Sequence, residues 1–147
     1  MASMEIKSLD RPDETRPFAA KGQADVVNLG GAAVLRATFE PGWRWSEHVK
    51  PLAKTDSCQA AHAGYILSGR MRIRMDDGTE GEAGPGDAFI AQPGHDAWVV
   101  GDEPCVAVDF GASAGQYATR TLGRAPARRP RRVRVLRHPA TPPPPTL

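Results

Sequence analysis

Residues Arg70 to Met75 read RMRIRM, so an extended chain puts Met71, Ile73 and Met75 on one side and Arg70, Arg72 and Arg74 on the other. A strand with one dry and one wet face belongs to an antiparallel sheet packed on one side only. Asp76-Asp77-Gly78 follows as a hairpin signal, and Thr79 to Glu82 gives a short polar return strand. Glu80 and Glu82 then stand opposite the arginine row. That predicts cross-strand ion pairs on a solvated face rather than a basic binding surface.

The same grammar runs in both directions from this hairpin. Ala24 to Asn28 is a brief apolar strand turned by Gly30-Gly31, and in AVLRATFE the side chains of Leu35, Ala37 and Phe39 share a face. After Pro41-Gly42, the stretch Trp43 to Val49 alternates again and reads as a strand, followed by a polar loop from Lys50 to about Gln59. HAGYILSG precedes the arginine strand. Gly86 to Ala91, Ala97 to Val100 and the final strand CVAVDF, ending at Gly111, come after it. Eight or nine short strands with almost no helical periodicity predict an all-β sandwich or barrel.

At 147 residues the chain has room for one domain and an appendage. No apolar run approaches the roughly 20 residues of a membrane span. Residues 1–18 are polar and lack the apolar core of a signal peptide. The expectation is a cytoplasmic protein with no membrane partner. Two cysteines, Cys58 and Cys105, make no disulfide framework and are expected as reduced thiols, at least one of them buried. The net charge of +2 conceals a division. Residues 120–147 carry eight arginines and no acidic residue, leaving 11 basic and 17 acidic residues in the first 119. This Arg-rich end also holds seven of the fourteen prolines and cannot bury enough apolar surface to fold. No aromatic or Gly-Arg pattern interleaves its charges, which argues against nucleic acid as a partner. The expected organisation is an irregular arm over residues 1–22, a β domain over 23–117 and a disordered Arg/Pro-rich tail over 118–147.

Four histidines are present: His48, His62, His95 and, in the tail, His138. Imidazole is the commonest side-chain ligand for transition metals, yet no pair here has a local spacing such as H-x-H. Cys58 and His62 are four apart, which suits a thiolate–imidazole pair, but the sequence marks no third group to orient it.

The order of strands and turns resembles the cupin superfamily, small jelly-roll barrels with two sequence motifs. Gly42, five residues and His48 match the start of the first motif. His62, six residues and Gly69 match its end, with His62 where the family has Glu. Tyr65 to Gly69, YILSG, is similar to the family's Y-V-L-x-G, and Gly86-Asp87, Ile90 and Gln92-Pro93-Gly94 match the second motif. Lys50 stands where the first motif has its second histidine, and Ala97 where the second motif has its own. His95 lies two residues before Ala97, so an extended backbone points both the same way.

The resemblance implies a cupin-type jelly-roll β-barrel with His48 and His62 facing inward, where His95 could join them around one divalent metal (Zn, Fe, Mn or Ni). Asp56 and Cys58 are candidates for a fourth ligand or for partners of the ligands, and Asp96 for orienting an imidazole. Trp45, Tyr65 and Trp98 are candidate cavity lining. The implied function is binding of a metal, a small organic ligand or both inside the barrel, with a metal-dependent oxygenase, isomerase or lyase as the enzymatic form. The alternative is a non-catalytic small-molecule sensor or binding module without metal. Homodimerisation is a further expectation at the level of the family.

Overall fold

The computed structural model describes residues 4–111, 113–115 and 117–118. Nine strands occur among them: β1 (Glu14–Pro17), β2 (Gly22–Leu29), β3 (Ala32–Phe39), β4 (His62–Ser68), β5 (Arg70–Met75), β6 (Glu80–Ala83), β7 (Ala88–Ala91), β8 (His95–Val100) and β9 (Cys105–Asp109). They form a six-stranded sheet in the order β1-β2-β3-β9-β4-β7 and a three-stranded sheet β6-β5-β8. Every pairing is antiparallel. No helix among the described residues is long and apolar enough to cross a membrane.

The two sheets meet through the alternating residues read from sequence. Leu35, Ala37 and Phe39 of β3 and Ala107 of β9 face Met71 of β5 and Ala97 and Val99 of β8 in one core. On the opposite side of β5 the ion pairs form as expected, Arg72 to Glu80 at 2.9 Å and Arg70 to Glu82 at 3.2 Å. The hairpin closes where Met75 N donates to Thr79 O at 2.8 Å, with Gly78 at φ 90°. An aromatic group fills one end: Phe18 stacks on Phe39 at 5.5 Å, and Trp43 lies 4.2 Å from Phe39. Trp43 Nε1 is buried without an acceptor among the described residues. That costs about 1–3 kcal/mol, which the burial of an indole ring, worth about 3–5 kcal/mol, offsets.

Two expectations are corrected. Residues 1–22 are not irregular throughout, since β1 pairs with β2 at the sheet edge and Phe18 enters the core. The stretch Trp43 to Val49 is not a strand. It holds a helical turn, α1 (Trp45–His48), and the next turn, α2 (Lys50–Ala53), follows at once. The buried residues Trp45 and Val49 are four apart, a helical spacing that also satisfies alternation, whereas Glu47 between them is exposed and breaks it.

Candidate metal centre

His62 opens β4 and His95 opens β8, so both rings leave the same end of the two sheets. Cys58 is in the preceding loop, but its backbone is tied to β8. Cys58 N donates to His95 O at 2.7 Å, and Gly94 N donates to Cys58 O at 2.7 Å. Gly94 makes this turn at φ 96°, in the left-handed region that favours glycine. The result is that one ligand atom each from Cys58, His62 and His95 lies within 4.8 Å of the others. Cys58 and His95 are buried, at 2% and 3% exposure.

Both imidazoles are oriented through Nδ1. His62 Nδ1–H donates to Asp109 Oδ2, and His95 Nδ1–H donates to the Gln92 carbonyl at 2.6 Å. Acceptors on both Nδ1 atoms place the lone pair of each ring, when neutral, on Nε2, the arrangement that metal-ligating histidines use. Asp109 is itself held, its Oδ1 accepting from Gly111 N at 2.7 Å. Donors at about 2.3 Å (sulfur) and 2.05 Å (nitrogen) from a tetrahedral ion lie about 3.6 Å apart. Cys58 Sγ and His62 Nε2 are separated by 3.6 Å. That pair has the spacing a tetrahedral transition ion imposes, and thiolate with imidazole is the donor chemistry such ions take.

The protonation equilibria follow from the same contacts. Burial alone pushes the Cys58 thiol up, but hydrogen bonds and charge from His62 and His95 bring it down to about 7. Burial works against the His62 cation, while Asp109 and the Cys58 thiolate hold it up to about 9. Tyr117 sets its ring edge-on to His62 at 5.0 Å. Its phenol is raised well above the usual tyrosine range, by burial first and then by the negative charges of Cys58 and Asp109.

Beside the cluster lies a cavity of about 50 Å³ bounded by His62, His95, Asp109 and Tyr117 on one side and by apolar side chains elsewhere. Ala97 faces it, and His95 faces it two residues earlier. His95 thus points inward, as the alternation along β8 requires.

Other sequence candidates are placed elsewhere. His48 is not in the cluster: its ring is turned back onto its own helical turn, with Nδ1 3.0 Å from Arg44 N. Asp56 is exposed in the loop. Asp96 orients no imidazole, because its Oδ1 accepts from Ser46 N at 3.1 Å and Ala97 N at 2.9 Å. Trp45 lines the cavity. Tyr65 is 43% exposed on the outer face of β4, and Trp98 lies under the Arg44 guanidinium at 4.5 Å. The residues that sequence reasoning passed over are Asp109 and Tyr117. Asp109 had a signal, since CVAVD puts it in phase with Cys105 and Ala107 on the dry face.

No family model and no curated protein matches the chain. Solved structures do. A protein of unknown function from Vibrio parahaemolyticus (targeted domain 2–94) superposes with TM-score 0.50 and 14% identity, over 66% of this chain and 96% of that one. A DUF1255 protein of unknown function from Acinetobacter sp. ADP1 gives 0.50 and 14%, over 67% and 90%. An RmlC-like cupin from Shewanella frigidimarina NCIMB 400 gives 0.50 and 13%, over 75% and 93%. The chain has the cupin fold.

Proposed function

We propose that this cupin binds one divalent transition metal through Cys58, His62 and His95 and acts on a small molecule held in the adjoining cavity. The observation that carries the reading is the pair of Nδ1 hydrogen bonds, to Asp109 and to Gln92 O, that aims both Nε2 atoms at the Cys58 sulfur, where an ion would take the place of the proton His62 otherwise holds. One thiolate with two imidazoles suits Zn²⁺ or Fe²⁺ better than Mg²⁺ or Ca²⁺, which prefer oxygen. Bound there, the ion would supply Lewis acidity toward a molecule in the cavity. Residence in the cytoplasm would keep Cys58 reduced and able to ligate.

Protein purified without an affinity tag is expected to carry close to one metal ion per chain. Changing Cys58, His62 or His95 to Ala should remove it, and His48→Ala should not. A chain that holds no metal and gains no thermal stability from Zn²⁺, Fe²⁺, Mn²⁺ or Ni²⁺ would sink the reading.

Asp109 gives weight to a second reading. Cys58, His62 and Asp109 form a hydrogen-bonded series in which the carboxylate orients the imidazole and the imidazole lowers the thiol, the wiring of a metal-free thiolate nucleophile. Rapid carboxymethylation of Cys58 at neutral pH in protein that binds no added metal would favour it.

A further inference from the structure

The walls of the inner cavity carry information about what enters it. At about 10–15 Å³ per water-sized group, a cavity of about 50 Å³ has room for about four such groups. Its lining includes Leu35, Phe39, Met71, Ile73 and Phe89, and it contains no lysine or arginine. The donor side would add no net charge once an ion is bound. The two acidic side chains that meet the cluster, Cys58 and Asp109, are the number that would balance a divalent ion held there.

A cleft of about 460 Å³ lies where the edge strands β6 and β7 leave the two sheets unpaired, and Ile73 and Phe89 line both it and the inner cavity. Glu80, Glu82 and Asp87 line the cleft, again with no lysine or arginine. Glu80 and Glu82 are paired with the β5 arginines. The surface next to the cavity thus presents three carboxylates and no lysine or arginine of its own lining to an anion.

We propose that the cavity beside Cys58, His62 and His95 takes a small uncharged oxygen-bearing molecule, a short alcohol, ketone or aldehyde of about four heavy atoms, and rejects anions of the same size. The inference rests on the metal reading of the three donors. A neutral molecule leaves the site uncharged and buries its carbons against apolar walls. An anion would make the site net negative inside those walls, and its lost hydration would go uncompensated. Asp109 is then the selectivity-determining residue, because its charge completes the neutral sum.

Cobalt-substituted protein tests this without an activity assay. A thiolate-to-cobalt charge-transfer band, absent in Cys58→Ser, reports that the ion is held by the cluster. Propan-2-ol and acetone are expected to perturb the ligand-field bands saturably, with acetate and azide at least tenfold weaker. In Asp109→Asn the azide affinity should rise about tenfold or more. Anions that bind the wild type as tightly as the neutral molecules overturn the inference, as do bands that no ligand moves while the charge-transfer band stands. Absence of that band overturns the metal reading itself and this inference with it. If Asp109→Asn fails to take up cobalt, the wild-type comparison still decides.

Discussion

Cys58 and Cys105 are both free and both buried, yet their surroundings separate them. Cys105 has only burial acting on it and is pushed up to about 11, whereas Cys58 is brought down to about 7 by its histidines. In metal-free protein, iodoacetamide should label Cys58 with a rate that rises through pH 7, before Cys105 reacts at all. Mass spectrometry after timed quenching reads this directly, and a common profile centred near 9 would refute it. The same groups set a stability window. His62 is raised above its unfolded value of 6.5 to about 9, so its contribution is full below 6.5 and lost as pH climbs through 9. Cys58 is lowered from 9.0, so its contribution is present above 9 and lost as pH falls through 7. Between about pH 7 and 9 the two trends oppose each other and nearly cancel, so the melting temperature of the metal-free protein should be almost independent of pH across that range. Cys58→Ser leaves only the His62 trend, held by Asp109, so its melting temperature should fall as pH rises above about 6.5 in a thermal melt series. Asp109→Asn should lower metal affinity about ten- to a hundredfold by loosening His62, measured by competition with a chromophoric chelator. How much of this was legible varies with where each donor sits. His95 was readable because β8 alternates. Asp109 was readable in principle from its phase in β9. The approach of Cys58 was not, because it depends on two backbone hydrogen bonds from a loop to β8.

At the scale of elements, the strands were legible because each buries one face, so their period of two is written in residue type. The helical turn α1 was not. Trp43, Trp45 and Val49 are buried, and that set fits either period until Glu47 is weighed as exposed. The transfer of the chain from the large sheet to the small one rests on a single glycine between β4 and β5. Gly69 has φ 72°, and a Cβ there would stand 2.2 Å from the Pro104 carbonyl oxygen, a backbone atom with little freedom to move. Gly78 in the β5–β6 hairpin has φ 90° but open space around it. Both substitutions by alanine incur the left-handed backbone penalty of about 1–2 kcal/mol, and only the first adds a clash. Gly69→Ala is expected to lose about 3 kcal/mol or more in urea unfolding and Gly78→Ala about 1. Equal losses would show that the Pro104 contact does not constrain the crossover.

The whole molecule divides where its composition does, and the division can be located. β7 ends the large sheet with an unpaired edge, and Ile90 and Phe110 near it are 73% and 62% exposed. A second copy of the chain covering that edge is the homodimer we expect; sedimentation should show it, and Ile90→Lys should shift it toward monomer. The other boundary lies at the C-terminal end. The Arg/Pro-rich stretch expected to be disordered lies, from residue 119 onward, outside the described residues. Just before it, Ala114 and Tyr117 belong to the core, Arg16 Nη1 donates to Tyr117 O at 3.1 Å, and the Tyr117 ring backs His62. A chain ending at Ala118 should keep these contacts and lose only residues whose composition gives them no core to join. Its melting temperature and metal content should match those of the full chain. A chain ending at Gly111 removes a buried aromatic ring, which elsewhere costs about 3–5 kcal/mol, and exposes the outer side of His62 and Cys58 to water. It should melt at least about 10 °C lower, and its Cys58 should lose the neutral-pH reactivity, because water screens the thiolate–imidazolium contact. Equal melting of the two truncated chains would place the boundary at Gly111 and remove Tyr117 from the site.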